Sequence, residues 1–124
     1  MIQNNSVRAT IPPFYAPISV LGDLTGGNGI NYLKELIREK YPTLADLLID
    51  LAYCESNFNQ IAKGDNGTSF SLFQFKQTTW QENCEGDIWD AEKQIDCAVK
   101  LIQKGEGKKR WKNCWQKMNL DKYF

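Results

Sequence analysis

The chain has 124 residues, of which 42% are hydrophobic and 24% are charged, and its 15 Lys and Arg are balanced by 15 Asp and Glu. This composition is typical of one globular domain and excludes a disordered chain or a membrane-spanning protein. The net charge of zero disfavours a nucleic-acid-binding protein. The absence of His excludes every mechanism that needs imidazole as a base, proton shuttle or metal ligand.

Residues 1–29 are rich in Pro and Gly and lack helical periodicity, as the pairs Pro12-Pro13 and Gly26-Gly27 illustrate. They predict an irregular arm or linker, followed by one domain over residues 30–124. The residues that would hold the arm against the domain are Phe14, Tyr15 and Ile18. No signal peptide is evident. If the protein works outside the cell, we expect that an export signal or anchor has been removed, or that a phage or secretion machine delivers the chain.

Two helices are predicted in the first half of the domain. The first spans residues 31–40, with apolar positions on one face, and Pro42 would end it. The second spans residues 43–56, where Thr43 and Asp46 have the spacing of a capping box. Its buried face would consist of the residues at i, i+3, i+4 and i+7, which are Leu44, Leu47, Leu48 and Leu51.

Glu55 lies four residues beyond Leu51, at the end of this apolar face. A carboxyl group in that position is unusual, because Glu is seldom buried without a partner. One interpretation is that Glu55 turns to solvent or pairs with a cation. The other is a partly desolvated carboxyl whose protonated form is favoured by burial, as a general acid requires. In a chain without His, the groups left for chemistry are carboxylates, hydroxyls, amides and aromatic rings, which are those used to cleave glycosidic bonds.

The part of the chain after Glu55 predicts a small hairpin followed by short helices. Asn66-Gly67 is a strong hairpin signal, and such a hairpin would place residues 65–71 beside Glu55. The predicted helices span residues 76–83, 91–104 and 109–117. Asp90 is the expected N-cap of the middle one, and Gly105 would end it.

Two motifs carry a resemblance to a known group of enzymes. They are Glu55-Ser56-Asn57-Phe58-Asn59, and Ser71-Leu72-Phe73-Gln74-Phe75 followed by Thr79-Trp80. Together they resemble the lysozyme-like superfamily of peptidoglycan-cleaving enzymes, most closely the soluble-type lytic transglycosylases and the resuscitation-promoting-factor domains. The similarity runs from Leu44 to Trp115. It implies a mainly α, lysozyme-like fold (α+β) with a small β-hairpin flanking the active-site groove.

The resemblance also implies an activity, which is cleavage of the β-1,4 bond between N-acetylmuramic acid and N-acetylglucosamine with Glu55 as general acid and then base. Animal-type lysozymes have a second acid, an Asp, at the position of Ser69. Lytic transglycosylases lack it, and the C6 hydroxyl of their substrate attacks to give a 1,6-anhydro product. We therefore predict a lytic transglycosylase. The alternatives are a hydrolytic lysozyme that uses Asp65 or a water held by Ser69, and a non-catalytic glycan-binding module.

The expected substrate-binding residues are Gln74, Ser69, Phe70, Thr68, Asn66 and Ser71, and no metal or cofactor is expected. Gln74 would either donate from its amide to the substrate or close the hairpin, and Phe70 would offer a stacking surface. Ser71 stands where most relatives have Gly. The late Asn-Ala-Tyr-Asn stretch of the transglycosylases is missing, so Trp111 would either take the place of its Tyr or belong to the core.

The four cysteines include no C-x-x-C pair, and without His they disfavour a zinc site. Their even number suggests two disulfides in an exported protein, with three pairings possible, and four free thiols in a cytosolic protein are the alternative. We predict Cys54–Cys114, which resembles the staple between the acid's helix and the C-terminal segment of resuscitation-promoting factors. With it we predict Cys84–Cys97, which would clip a connection between two helices. The expected location is extracellular, in the cell wall or periplasmic.

Residues 100–124 carry eight Lys or Arg against two Asp or Glu. This basic end would either meet an anionic polymer, such as a cell wall, or form a solvated helix face. The expected partner is the glycan strand of peptidoglycan, bound by a monomer, with no nucleic acid and no stable membrane insertion.

Overall fold

The computed structural model describes the backbone of residues 27–124 and the side chains of residues 29–124. Of the described residues, 34–124 form one compact unit. The predicted arm lies outside the described residues as far as residue 26, and this includes its apolar residues Phe14, Tyr15 and Ile18. The sheet and both disulfides belong to residues 34–124.

The described residues are mainly helical, as predicted, with a small antiparallel sheet. The helices are α1 (Gly27–Lys40), α2 (Ala45–Ser56), α3 (Gln77–Asn83), α4 (Ala91–Gln103), α5 (Gly107–Arg110) and α6 (Lys112–Lys117). The strands are β1 (Lys63–Gly64), β2 (Ser69–Phe70) and β3 (Phe75–Lys76), and 3-10 turns span Asp65–Gly67 and Leu120–Tyr123. None of the described helices has both the length and the hydropathy needed to cross a membrane.

Helix α2 confirms the predicted apolar face but not the predicted cap. Leu47, Leu48 and Leu51 are buried, whereas Leu44 lies before the first helical residue and is only partly buried. The capping box is wrong, since the N-cap is Leu44 and no side chain of residues 29–124 caps the helix. The reason is a turn over residues 42–44, which leaves Thr43 one position before the N-cap. At its other end α2 is closed by Asn57, whose N–H donates to the Tyr53 carbonyl at 2.9 Å. The left-handed φ of 55° at Asn57 lets the next N–H, that of Phe58, reach the Ala52 carbonyl at 3.3 Å.

The predicted hairpin is present and belongs to a sheet of three strands, in the order β1-β2-β3. Gly64 of β1 lies opposite Ser69 of β2, so residues 65–68 form the turn, in place of the two-residue loop that Asn66-Gly67 favours. The sequence did not indicate β3. Its pairing places Lys76 opposite Ser69, which brings a cation to the strand next to the hairpin turn.

The tight loop between β2 and β3 holds Ser71 in a left-handed conformation, with φ of 73°. This is the backbone geometry that glycine adopts without strain, so the Ser at this position is strained. The Ser71 hydroxyl is also buried, and it has no hydrogen-bond partner among the residues that the structure describes. Gln94 of α4 anchors this loop. It is fully buried, and its side-chain oxygen accepts a hydrogen bond from the Leu72 N–H at 3.1 Å.

The C-terminal helices begin and end close to the predicted positions. Asp90 caps α4 by accepting the N–H groups of Glu92 and Lys93 at 3.0 and 3.2 Å. After α4, Gly105 adopts a φ of 81°, as expected for a residue that ends a helix. The predicted helix over residues 109–117 is divided into α5 and α6, because Trp111 between them leaves the helical region at φ −120° and ψ 46°.

Trp111 belongs to the core, and its indole N–H donates to the Phe73 carbonyl at 2.8 Å. The Phe73 ring meets the Trp111 ring edge-on at 6.4 Å. Phe75 meets the ring of Trp80, which is buried too, at 5.1 Å. Since aromatic pairs favour such tilted contacts, this cluster holds the α5–α6 junction against the loop that follows β2.

Both predicted disulfides are confirmed. Cys54 of α2 is bonded to Cys114 of α6, with the Cα atoms 5.8 Å apart. Cys84, just after α3, is bonded to Cys97 of α4, with the Cα atoms 5.3 Å apart. The first bond joins the last turn of α2 to α6, so it fixes the residue next to Glu55 relative to the basic end of the chain.

Candidate active site

A cleft of about 520 Å³ lies beside the last turn of α2. Its size is within the range of small-ligand sites. Its wall is built by α2, the sheet, α3 and the α5–α6 segment, together with Leu101 of α4. The residues that line it are Glu55, Asp65, Ser69, Gln74, Phe75, Lys76, Thr79, Leu101, Lys109, Arg110, Trp111, Lys112 and Asn113.

Glu55 is half-buried in this cleft, and burial raises the pKa of its carboxyl from 4.5 to about 7. The negative charge of Asp65 raises this pKa further, while the positive charge of Lys76 lowers it. The dominant cause is desolvation, which disfavours the charged form of a carboxyl. Near neutral pH, a large fraction of Glu55 therefore carries a proton that it can give away.

Asp65, the other acid in the cleft, has a different environment. Its Oδ2 accepts a hydrogen bond from the Ser69 hydroxyl at 2.6 Å and one from Lys76 Nζ at 2.9 Å. These two interactions lower the pKa of Asp65, and its side chain is 68% exposed. The pKa values of these two acids are thus shifted in opposite directions, which favours the protonated form of Glu55 and the ionised form of Asp65.

Lys76 completes a small cluster with these groups. Its Nζ donates to Ser69 Oγ at 2.7 Å as well as to Asp65. Ser69 itself is almost fully buried, with 1% of its surface exposed. The Ser69 hydroxyl is therefore held between a carboxylate and an ammonium group.

Gln74 lines the cleft, and its amide closes the loop that precedes β3. Nε2 donates to the Ser71 carbonyl at 2.8 Å and to the Ala62 carbonyl at 3.4 Å. The sequence left two roles open for Gln74, substrate binding and closure of the hairpin, and these hydrogen bonds correspond to the second. The side-chain carbonyl oxygen of Gln74 is packed against Gly64, where a Cβ atom would collide with it.

The other predicted groove residues do not line the cleft. The ring of Phe70 meets Trp89 edge-on at 5.8 Å. The hydroxyl of Thr68 donates to the Asp65 carbonyl at 2.8 Å. Asn66 is exposed in the turn with a φ of 59°, and Ser71 is buried.

Sequence reasoning missed the contribution of the α5–α6 segment to the cleft. Lys109, Arg110, Lys112 and Asn113 line it together with Trp111 and Thr79. The signal that was available is the excess of basic residues after residue 100. The disulfide between Cys54 and Cys114 would also have predicted that this segment lies near Glu55.

No protein-family model matches the chain, and neither a curated protein nor a solved structure matches it. Among the described residues, no group of three or more Cys, Asp or Glu side chains could hold a metal ion. The function proposed for the cleft therefore depends on its own chemistry and on the motif resemblance.

Proposed function

We propose that the chain is a lytic transglycosylase that cuts the β-1,4 bond between N-acetylmuramic acid and N-acetylglucosamine in peptidoglycan. The observation that carries this proposal is Glu55, a half-buried carboxyl in an open cleft with its pKa raised to about 7. Such a group can donate a proton near neutral pH and take one back afterwards. The two motifs around it resemble those of enzymes that use a Glu in this way.

In the proposed reaction, the protonated Glu55 donates its proton to the glycosidic oxygen as the bond from that oxygen to the anomeric carbon breaks. The carboxylate thus formed takes the proton of the C6 hydroxyl of N-acetylmuramic acid. The C6 oxygen bonds to the anomeric carbon and closes a 1,6-anhydro ring. Glu55 ends the cycle protonated, so the same residue serves as acid and then base, and no water is consumed.

The environment of Asp65 favours this route over hydrolysis. A hydrolase needs a second carboxylate free to act as nucleophile or as base toward water. The Asp65 carboxylate instead accepts hydrogen bonds from the Ser69 hydroxyl and from Lys76 Nζ. Hydrolysis remains the second candidate because Asp65 lines the same cleft and is close enough to affect the pKa of Glu55. In that case Asp65, or a water held by Ser69, would take the second role.

The experiment that tests the proposal is mass spectrometry of the muropeptides released from purified peptidoglycan by the oxidised protein. We expect products at the anhydro mass, one water lighter than those with reducing ends. Products with reducing ends would indicate hydrolysis. Sugar binding without any products would identify a non-catalytic glycan-binding module.

The pH profile of cleavage should shift in opposite directions in two variants of the cleft. Loss of the negative charge in Asp65→Asn lowers the pKa of Glu55, so the decline of activity at alkaline pH should begin at a lower pH than in wild type. Loss of the positive charge in Lys76→Met raises that pKa, so the decline should begin at a higher pH. The measurement is the initial rate between pH 5 and 9 (roughly two units either side of the Glu55 pKa).

The Asp65→Asn variant also separates the two candidate reactions. A transglycosylase should keep its activity at low pH in this variant, because Asp65 acts only through the pKa of Glu55. A hydrolase in which Asp65 is the second carboxylate would lose activity at every pH. Shifts of the same sign in both variants would contradict the assignment of Glu55 as the titrating acid.

The partner in this proposal is the glycan strand, which the protein binds as a monomer. The proposed location is extracellular, in the cell wall or periplasmic, where peptidoglycan is found. The two disulfides support it, because such bonds persist in oxidising compartments.

A further inference from the structure

The α5–α6 segment brings a group of cations into the cleft. Lys109, Arg110 and Lys112 line it within four positions of sequence. The charge of Arg110 is offset by Glu106, whose Oε1 accepts from Arg110 Nε at 2.8 Å. Lys109 and Lys112 are exposed, and within the described part of the chain neither forms an ion pair.

The cleft is therefore positive in a chain whose net charge is zero. Among the described residues, those that line it include four cations and two acids, and Glu106 offsets Arg110, which leaves a charge of +1 when Glu55 is ionised and +2 when it is protonated. Asp65 is already paired with Lys76. The charge that remains for a ligand is that of Lys109 and Lys112, and a cleft of one sign concentrates ligands of the other.

The position of these two cations relative to Glu55 is set by covalent structure. Cys114 of α6 is bonded to Cys54, the residue before Glu55. Trp111, which lies between Lys109 and Lys112 in sequence, is anchored by its hydrogen bond to the Phe73 carbonyl. The backbone that carries the two lysines is consequently held at a fixed place relative to the acid, and an anionic group bound by them would help to determine which bond of a polymer lies at Glu55.

We propose that Lys109 and Lys112 bind carboxylate groups of the glycan substrate, so that the cleft selects acidic over neutral strands. This inference rests on the proposed function. Peptidoglycan offers carboxylates from two sources, the lactyl groups of unsubstituted N-acetylmuramic acid and the stem peptides. The flexible side chain of Lys suits anions whose exact distance from the sugar ring varies.

The test compares two tetrasaccharides that differ in their lactyl groups. One contains alternating N-acetylglucosamine and N-acetylmuramic acid with free carboxylates, and the other is the neutral N-acetylglucosamine tetramer. Binding is measured by calorimetry in a Glu55→Gln background, so that turnover does not consume the ligand. We expect the acidic sugar to bind about tenfold more tightly at low salt, and this preference should fade as salt is added.

Replacing both lysines in Lys109→Gln/Lys112→Gln should weaken binding of the acidic sugar about five- to tenfold and leave the neutral sugar unaffected. Lys117→Gln is the matched control, because Lys117 is exposed on α6 and does not line the cleft. It should change neither affinity. A third ligand, the tetrasaccharide carrying stem peptides, identifies the source of the bound carboxylates. If it binds more tightly than the peptide-free sugar, the lysines contact stem-peptide carboxylates. If it binds more weakly, they contact lactyl groups.

Equal binding of acidic and neutral sugars by the Glu55→Gln protein would overturn the inference. The inference would also be overturned if Lys109→Gln/Lys112→Gln lost affinity for the acidic and the neutral sugar equally, or if it still preferred the acidic sugar. If neither sugar binds, the inference fails together with the glycan substrate on which it rests. The proposed reaction is judged separately, by whether the wild-type protein turns over peptidoglycan.

Discussion

Replacing Glu55 with Gln is expected to lower the rate of peptidoglycan cleavage by at least about a thousandfold. The reason is that Gln keeps the size and the hydrogen-bonding capacity of the side chain but can neither donate the proton to the leaving oxygen nor take one from the C6 hydroxyl. Both proton transfers depend on the same group, and Asp65 is held in its own cluster by Ser69 and Lys76. Within the part of the chain that the structure describes, no other acid lines the cleft.

The rate should be measured from released muropeptides, with Glu82→Gln as the matched control. Glu82 is exposed on α3 and lies outside the cleft lining, so the same chemical change there should leave the rate within about twofold of wild type. If Glu55→Gln retains more than a tenth of the wild-type rate, Glu55 is not the general acid.

The same variant should be more stable than wild type at alkaline pH. The pKa of Glu55 is about 7 in the folded protein, whereas an unperturbed Glu has a pKa of 4.5. Between these two pH values the folded state therefore retains a proton that the unfolded chain has released. Its contribution to stability is thus complete below pH 4.5 and lost as the pH rises through 7. A pKa shift from 4.5 to about 7 corresponds to about 3 kcal/mol at pH 8, and because the carboxyl is only half-buried, screening by solvent lowers the expected effect to about 2 kcal/mol. Since Gln does not ionise, Glu55→Gln should gain this amount in free energy of unfolding at pH 8, and the gain should vanish in acid.

Urea unfolding at the two pH values measures this difference. If Glu55→Gln gains free energy of unfolding at pH 8 and loses activity, Glu55 is a residue that serves catalysis at the expense of stability. An unchanged free energy of unfolding at pH 8 would indicate that the Glu55 carboxyl is not desolvated in the folded protein.

Removal of the Cys54–Cys114 disulfide, in Cys54→Ala/Cys114→Ala, is expected to lower the free energy of unfolding by about 4 kcal/mol. The two residues are 60 positions apart in sequence, so the bond removes a large amount of chain entropy from the unfolded state. Both cysteines are at least partly buried, which makes Ala a better replacement than a hydroxyl-bearing residue. The measurement is urea unfolding under non-oxidising, non-reducing conditions for both proteins.

The matched control is Cys84→Ala/Cys97→Ala, which opens a bond between residues only 13 positions apart. This shorter loop predicts a smaller loss of about 3 kcal/mol. The two variants should also differ in activity, because only the first bond joins the Glu55 turn of α2 to the α6 helix that borders the cleft. Equal rates of cleavage in both variants, under conditions where both are folded, would show that this bond does not position the acid.

Several features were determined by the sequence alone because they depend on residues within one or two helical turns. The spacing of Leu47, Leu48 and Leu51 predicted the buried face of α2 and placed Glu55 at its end. The spacing left open whether Glu55 turns to solvent or is partly buried, and only the motif resemblance favoured the buried acid. Asp90 and Gly105 mark the ends of α4 through contacts with their immediate neighbours. The disulfide pairing needed more than spacing, since it was predicted from the resemblance of Cys54 and its surroundings to resuscitation-promoting factors.

Only the tertiary structure decided what surrounds Glu55. Strand β3 has two residues, too few for any periodicity to indicate it, and its pairing with Ser69 is what carries Lys76 into the cleft. Lys109 and Lys112 belong to a basic end that the sequence left open as a solvated face or a surface for an anionic polymer, and the disulfide and the Trp111 anchor bring them to the acid. A helical face is determined by neighbours along the chain, whereas a pKa and a binding surface depend on charges distant in sequence and close in space.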